Sequence, residues 1–386
     1  MAVSVDNRPT RMRSALAAVL TVLILVPAGY LFYRVWQDNH DARHNTNLER
    51  QGVEYLRSLA PLISGLAESE SAALQGIPAA PPSLTGAVAG VAAVDQRLGD
   101  ALETHDRWTS LRDRIGRLPS VTRDPQAILQ AHIEATELAM GLYDTVRDHS
   151  TLIRDPDNDL SHLQQAVALD LPNTVIQVNR MGDLALLLSK VSGNAGQRAT
   201  QNAQLGPQFG AALQNVNESV DGLTEDLQEA VDDTDSPTLS GNLVTSLDSF
   251  RRGVESLTRG ANPGGQPTAA TMATAQTQLQ TSLNGLANVT LREMDNLLKD
   301  RLDALQTKWI EALVAAAAVL LLVLAALLVR LPGRRRRTAP TPGGGDTGRG
   351  KSVQNRPDPG YRGLNDPVPS YGEVNPTWRE RSGALR

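Results

Sequence analysis

The chain has 386 residues, 37 of them basic and 42 acidic, for a net charge of −5, with 6 Tyr, 3 Phe, 4 Trp and no cysteine. Without cysteine there is no disulfide framework, no thiolate metal site and no nucleophilic thiol. Hydrophobic residues make up 41% but aromatic ones only 3%, so the apolar content is mainly Ala, Leu and Val, which fill seams between helices better than they wall off aromatic pockets.

Residues 1–13 carry Arg8, Arg11 and Arg13, and Ser14 to Tyr33 then runs for 20 positions without a charge. A helix of that length rises ~30 Å, the thickness of a hydrocarbon core, which predicts a transmembrane helix over 14–33. Val26-Pro27-Ala28 resembles a signal-peptide cleavage site, but the apolar run continues past it to Tyr33 and favours an uncleaved anchor. Tyr33 and Trp36 then sit where amphipathic rings prefer the headgroup region.

Between the spans, residues 37–308 show apolar spacings of three and four and no period-two strand, which predicts an all-α domain. Leu48, Leu56, Leu59, Ile63 and Leu66 form the stripe of a first helix, with a kink expected at Pro61. Breakers follow at Gly76–Pro82, Leu118-Pro119, Asp155-Pro156-Asp157, Asp235-Ser236-Pro237 and Asn262-Pro263-Gly264-Gly265, leaving six or seven helices. Pro172 reads as a kink, and Gly193–Gly206 as a polar stretch. That number of helices suits two stacked bundles better than one bundle of very long helices. Residues 35–308 hold 21 basic and 35 acidic side chains, a balance of −14 that argues against nucleic acid or anionic lipid as a partner.

Leu291, Met294, Leu298, Leu302, Leu305 and Trp309 carry one helix into a second uncharged run, Ala312 to Val329, which predicts a transmembrane helix over 310–330. Arg330 and Arg334–Arg337 follow it, so basic residues flank both spans on the same side and place both termini in the cytoplasm of a two-pass inner or plasma membrane protein. The tail, 331–386, is expected to be disordered: from Pro332 onward 18 of 55 residues are Gly or Pro.

Arg50 and Arg57 are seven apart, hence on one helix face, and could offer paired guanidinium groups to a small anionic ligand; the ordinary alternative is pairing with Glu49 or Glu54. Tyr55 beside them reads as core. Asp155 and Asp157 read as helix caps, and Asn158 and Asp159 lack the glycine and distal glutamate of a calcium loop. His40 and His44 have metal-compatible i, i+4 spacing without a third ligand, and the other four histidines are scattered. Asn179, Arg180 and Asp183 read as an ordinary helical salt bridge. There is no P-loop, dinucleotide turn, nucleophile elbow or HExxH, so the chain reads as a non-enzyme without cofactor or metal.

Two stretches carry a family resemblance. Asn47-Leu48-Glu49-Arg50-Gln51-Gly52-Val53-Glu54-Tyr55-Leu56-Arg57-Ser58-Leu59, and Leu152-Ile153-Arg154-Asp155-Pro156-Asp157-Asn158-Asp159 with Leu171-Pro172 after it, resemble the exported sensor regions of bacterial methyl-accepting chemotaxis proteins and sensor histidine kinases. The resemblance implies a chemoreceptor-like helical sensor domain, dimerisation through the first helix and a role in signal transduction. The candidate ligand-binding residues are Arg50, Tyr55 and Arg57. The aromatic positions of those relatives after the turn are here Leu160, Ser161 and His162, and no HAMP-like, methylated, kinase or cyclase segment follows Val329. A separate signalling protein is therefore expected to read the output. The alternative expectation is a structural or scaffolding protein of the cell envelope, whose bundle holds another protein.

Overall fold

The computed structural model describes residues 8–152, 155–261 and 269–330; the expected tail and its basic run, the glycine-rich break at 262–265 and two residues of the 152–159 motif lie outside the described residues. The fold is all-α, with no strand among the described residues. Among the described residues nine helices run in order: α1 (Arg8–Leu74), α2 (Pro82–Leu98), α3 (His105–Arg117), α4 (Pro125–His149), α5 (Asn158–Gln165), α6 (Leu171–Ser189), α7 (Ala195–Asp232), α8 (Pro237–Ala261) and α9 (Ala269–Arg330).

The sequence places most of their ends. Prolines open α2, α4 and α8, where a missing N–H costs nothing. Asp124 caps α4 by accepting the Ala127 N–H at 3.0 Å, and Asn194 and Gln197 form a reciprocal capping box on α7. Gly76, at φ +91°, ends α1, with Ile77 N–H bonded back to the Ala72 carbonyl. Pro27 and Pro61 both lie inside α1, which continues through them as one helix. A widened π turn, Ala166–Asp170, joins α5 to α6 two residues before Pro172. Pro172 has no N–H to give the carbonyl of Ala168, and the wider turn accommodates that loss.

α1 and α9 are antiparallel neighbours. Their apolar outer thirds are exposed, Leu23 at 67% and Leu322 at 71%, and each is long and apolar enough to cross a membrane. A buried core helix would hide such residues. Where the apolar stretches end, the Phe32 and Trp309 rings lie 5.8 Å apart, and Asn39 Nδ2 donates to the Leu305 carbonyl at 2.9 Å.

Beyond that level the helices form one bundle rather than two stacked end to end. α1 packs against α2, α4, α6 and α9, while α7 covers α6 and α8 covers α9. A single apolar core, including Leu59, Leu142, Tyr143, Phe250 and Leu298, runs through it. Each such side chain stabilises by about 1.5–3 kcal/mol relative to exposure. At the far end Lys190 Nζ donates to the Leu74 carbonyl at 2.8 Å; at the near end Arg301 meets Asp155 and Glu49. The same length of α1 thus contacts all its neighbours side by side. Gly65 lets α2 approach, since a Cβ there would lie 2.8 Å from Leu84 Cα.

Candidate functional site

A cavity of about 360 Å³ opens between α1, α4 and α6. α1 carries its stripe through Ile63, Ala67 and Glu70, so the carboxyl occupies a position the helical period assigns to the interior. Glu70 is 8% exposed and forms the inner end together with buried Asn179 of α6. Glu137 and Asp144 of α4 and Arg180 of α6, all exposed, line the mouth.

Behind the inner end, Asp183 accepts from Ser71 Oγ at 2.7 Å and from Asn179 Nδ2 at 2.8 Å. The Asn179 amide also reaches Glu70 Oε2 at 3.5 Å, and its oxygen accepts from Gln276 Nε2 of α9 at 2.9 Å. Burial raises the pKa of both carboxyls; the charge of Asp183 raises Glu70 further while Arg180 opposes. Asp183 has the better donors, so it is the member that ionises first and Glu70 the one that keeps the proton. The expected Asn179–Arg180–Asp183 salt bridge is replaced by this network: Arg180 points to the cavity mouth and Asp183 is held by neutral donors.

A second polar cluster joins α1, α9 and the turn before α5. Arg301 Nη1 and Nη2 donate to the two oxygens of the fully buried Asp155 carboxylate at 2.8 and 2.5 Å, Nη2 donates to Asp157 at 2.6 Å and Nη1 to Glu49 at 3.3 Å. Three carboxylates face one guanidinium. Burial, then the charge of Asp155, therefore push Glu49 up to about 8, against the pull of Arg301. The capping role expected of Asp155 and Asp157 is corrected here. Asp155 does accept the Asp157 N–H at 2.8 Å, but Asp157, which precedes α5, makes no side-chain cap, and both carboxylates turn to Arg301.

Arg50 and Arg57 do share a face of α1, and that face meets α9. Arg50 Nε donates to Asp295 at 3.1 Å and Arg57 Nη2 to the Leu291 carbonyl at 3.4 Å, so their partners are on α9 rather than Glu49 or Glu54. Burial would raise Asp295, but its bonds from Lys299 and Arg50 hold it below the ordinary carboxylate range. Tyr55 points the other way, fully buried, its hydroxyl donating to Asp95 of α2 at 2.8 Å. Asp95 also accepts from Thr104 Oγ1 at 2.6 Å and faces His105 Nδ1 at 2.7 Å. That cluster makes the α2–α3 break, which no proline or glycine pair announces in the sequence.

Among the described residues, one set has the geometry to hold a metal ion: His162 of α5 with Asp226 and Glu229 of α7. His162 Nδ1 lies 3.1 Å from Asp226 Oδ1 and 3.0 Å from Glu229 Oε2, distances that a shared N–H explains equally well. Asp170 lies against Asp226, and burial followed by that contact raises its pKa.

Compared with known proteins, the chain matches no family, no curated protein and no solved structure.

Proposed function

We propose that this protein is a two-pass membrane sensor. Both termini are cytoplasmic, the helical bundle is outside, and a small solute bound between α1, α4 and α6 displaces α1 and α9 relative to each other. A separate signalling protein reads that displacement. Supporting the topology are the arginines beside both spans and the −14 balance of the region between them.

One observation carries the reading: the inner end of the cavity belongs to both membrane-directed helices. Glu70 is on α1, and Gln276 of α9 is bonded to Asn179, which lines the cavity beside it. A ligand that moves Asn179 must therefore shift one helix against the other, and shifts of ~1–2 Å are of the size that packed helices use in switching.

The test is a thermal-shift screen of the full chain in detergent against small carboxylic acids and small amines, with export-dependent reporters fused at about residue 200 and at residue 386. A sensor shifts with at least one class, and only the first reporter is active. No shift with any compound, together with a stably co-purifying protein, would replace this reading with the scaffold; an inactive first reporter or an active second one would overturn the topology.

A further inference from the structure

Glu70 is a buried carboxyl without a counter-ion. Its contact is a 3.5 Å approach from the Asn179 amide, and among the described residues no Lys, Arg or His nitrogen lies within 4 Å of it. Asp183, on the next turn of α6 from Asn179, takes the two good donors for itself. Without a cation the carboxyl keeps its proton, and an ammonium placed against it displaces that proton and stabilises the ionised form. Arg180 acts on Glu70 only from the mouth, where its side chain is exposed and forms no ion pair with that carboxyl.

The rest of the cavity states what kind of cation fits. Ile63, Ala67, Ile133, Met140 and Ile176 give it apolar walls, which a bare metal ion would not use. Its volume, about 360 Å³, is that of a small organic ligand's site. At the mouth, Glu137 and Asp144 are seven residues apart on α4 and so on one face, and with Glu70 they outnumber the guanidinium of Arg180 by three to one. That lining disfavours an anion.

We infer that the cavity binds an aliphatic amine, one ammonium held by Glu70, the methylene chain along Ile63 and Met140, and a second ammonium at the mouth between Glu137 and Asp144. This names the ligand class for the sensor reading above and rests on it. The pairing at the inner end is a charge-assisted hydrogen bond to a buried carboxyl, where the lower local dielectric strengthens it.

The experiment is calorimetric titration of the full chain in detergent with 1,5-diaminopentane, pentylamine and glutarate. The diamine is expected to bind, pentylamine at least tenfold more weakly, and glutarate not at all. Glu70→Gln, close in shape and as neutral as the protonated carboxyl it replaces, is expected to lose at least tenfold in diamine affinity with its melting temperature kept. The pair Glu137→Gln and Asp144→Asn is expected to erase the preference for diamine over monoamine. Met140→Trp fills the cavity without touching any charge and is expected to abolish binding. Diamine affinity unchanged by Glu70→Gln and by Met140→Trp overturns the inference. So does binding of glutarate but not the diamine, which leaves the sensor reading standing with a different ligand class. If no compound binds and a protein co-purifies, both fall.

Discussion

Gln276 of α9 lies directly over Gly182 of α6, where any Cβ would collide with its side-chain amide. The absent side chain is what allows Gln276 to reach Asn179, one turn away on the same helix, and so allows α9 to share in the cavity's inner end.

Gly182→Ala is therefore expected to expel Gln276 and leave Asn179 short of a donor, at a cost of about 1–3 kcal/mol. Chemical unfolding monitored by circular dichroism measures it. Gln276→Ala should cost less than Gly182→Ala, because it removes the partner without forcing a clash. A Gly182→Ala variant as stable as the parent would show that α9 is not held there.

Arg301→Met takes the cation from among Glu49, Asp155 and Asp157. With Asp155 fully buried, the loss is expected to be about 3–5 kcal/mol. Adding Asp155→Asn to Arg301→Met should recover part of it, since the orphaned charge is gone. Equal stability of the single and double variants would contradict an ion pair as the source of the effect.

Glu49 gives stability a defined pH dependence. Its folded-state pKa, about 8, is above the ordinary carboxylate value, so folding favours the protonated form. The contribution is full below the unfolded-state pKa of about 4.5 and is lost as pH rises through about 8. Melting temperatures between pH 5 and 9 should therefore decline, and Glu49→Gln should flatten the decline. A slope unchanged by that substitution would assign it to another group.

Tyr55→Phe keeps the ring in the core and removes one donor from Asp95, an expected loss of about 1 kcal/mol. Tyr55→Ala opens a cavity and should cost about 3–5 kcal/mol. Neither is expected to alter amine affinity beyond the effect of stability, because the ring faces α2 and away from the cavity. A diamine affinity lost in Tyr55→Phe at full stability would restore Tyr55 to the ligand.

Much of this architecture is legible in the sequence because it is local. Uncharged runs of span length, prolines at helix starts and the α1 stripe each report on their own segment. The face shared by Arg50 and Arg57 follows from their spacing alone. What they meet does not, since Asp295 is 245 residues away from Arg50. Asp155 shows the same limit: its pattern announces a turn, while its ion-pair partner, Arg301, is 146 residues further on. The break at the end of α2 is missed because it is made by one buried aspartate gathering donors from α1 and α3. Glu70 falls on the interior face by its helical period, but only the packing of α4 and α6 shows that this acidic position is buried. The choice of one bundle over two depended on how long α1 and α9 remain in contact with every neighbour, which no segment records.

His162 and Asp170 are eight positions apart, and a regular helix would leave the second about 80° around the axis from the first. Both nevertheless meet Asp226, because the widened turn at Ala166–Asp170 takes up one position. That surplus residue acts as a spacer, and Pro172 keeps it from being wound out: closing the helix there would demand an amide hydrogen that proline does not have.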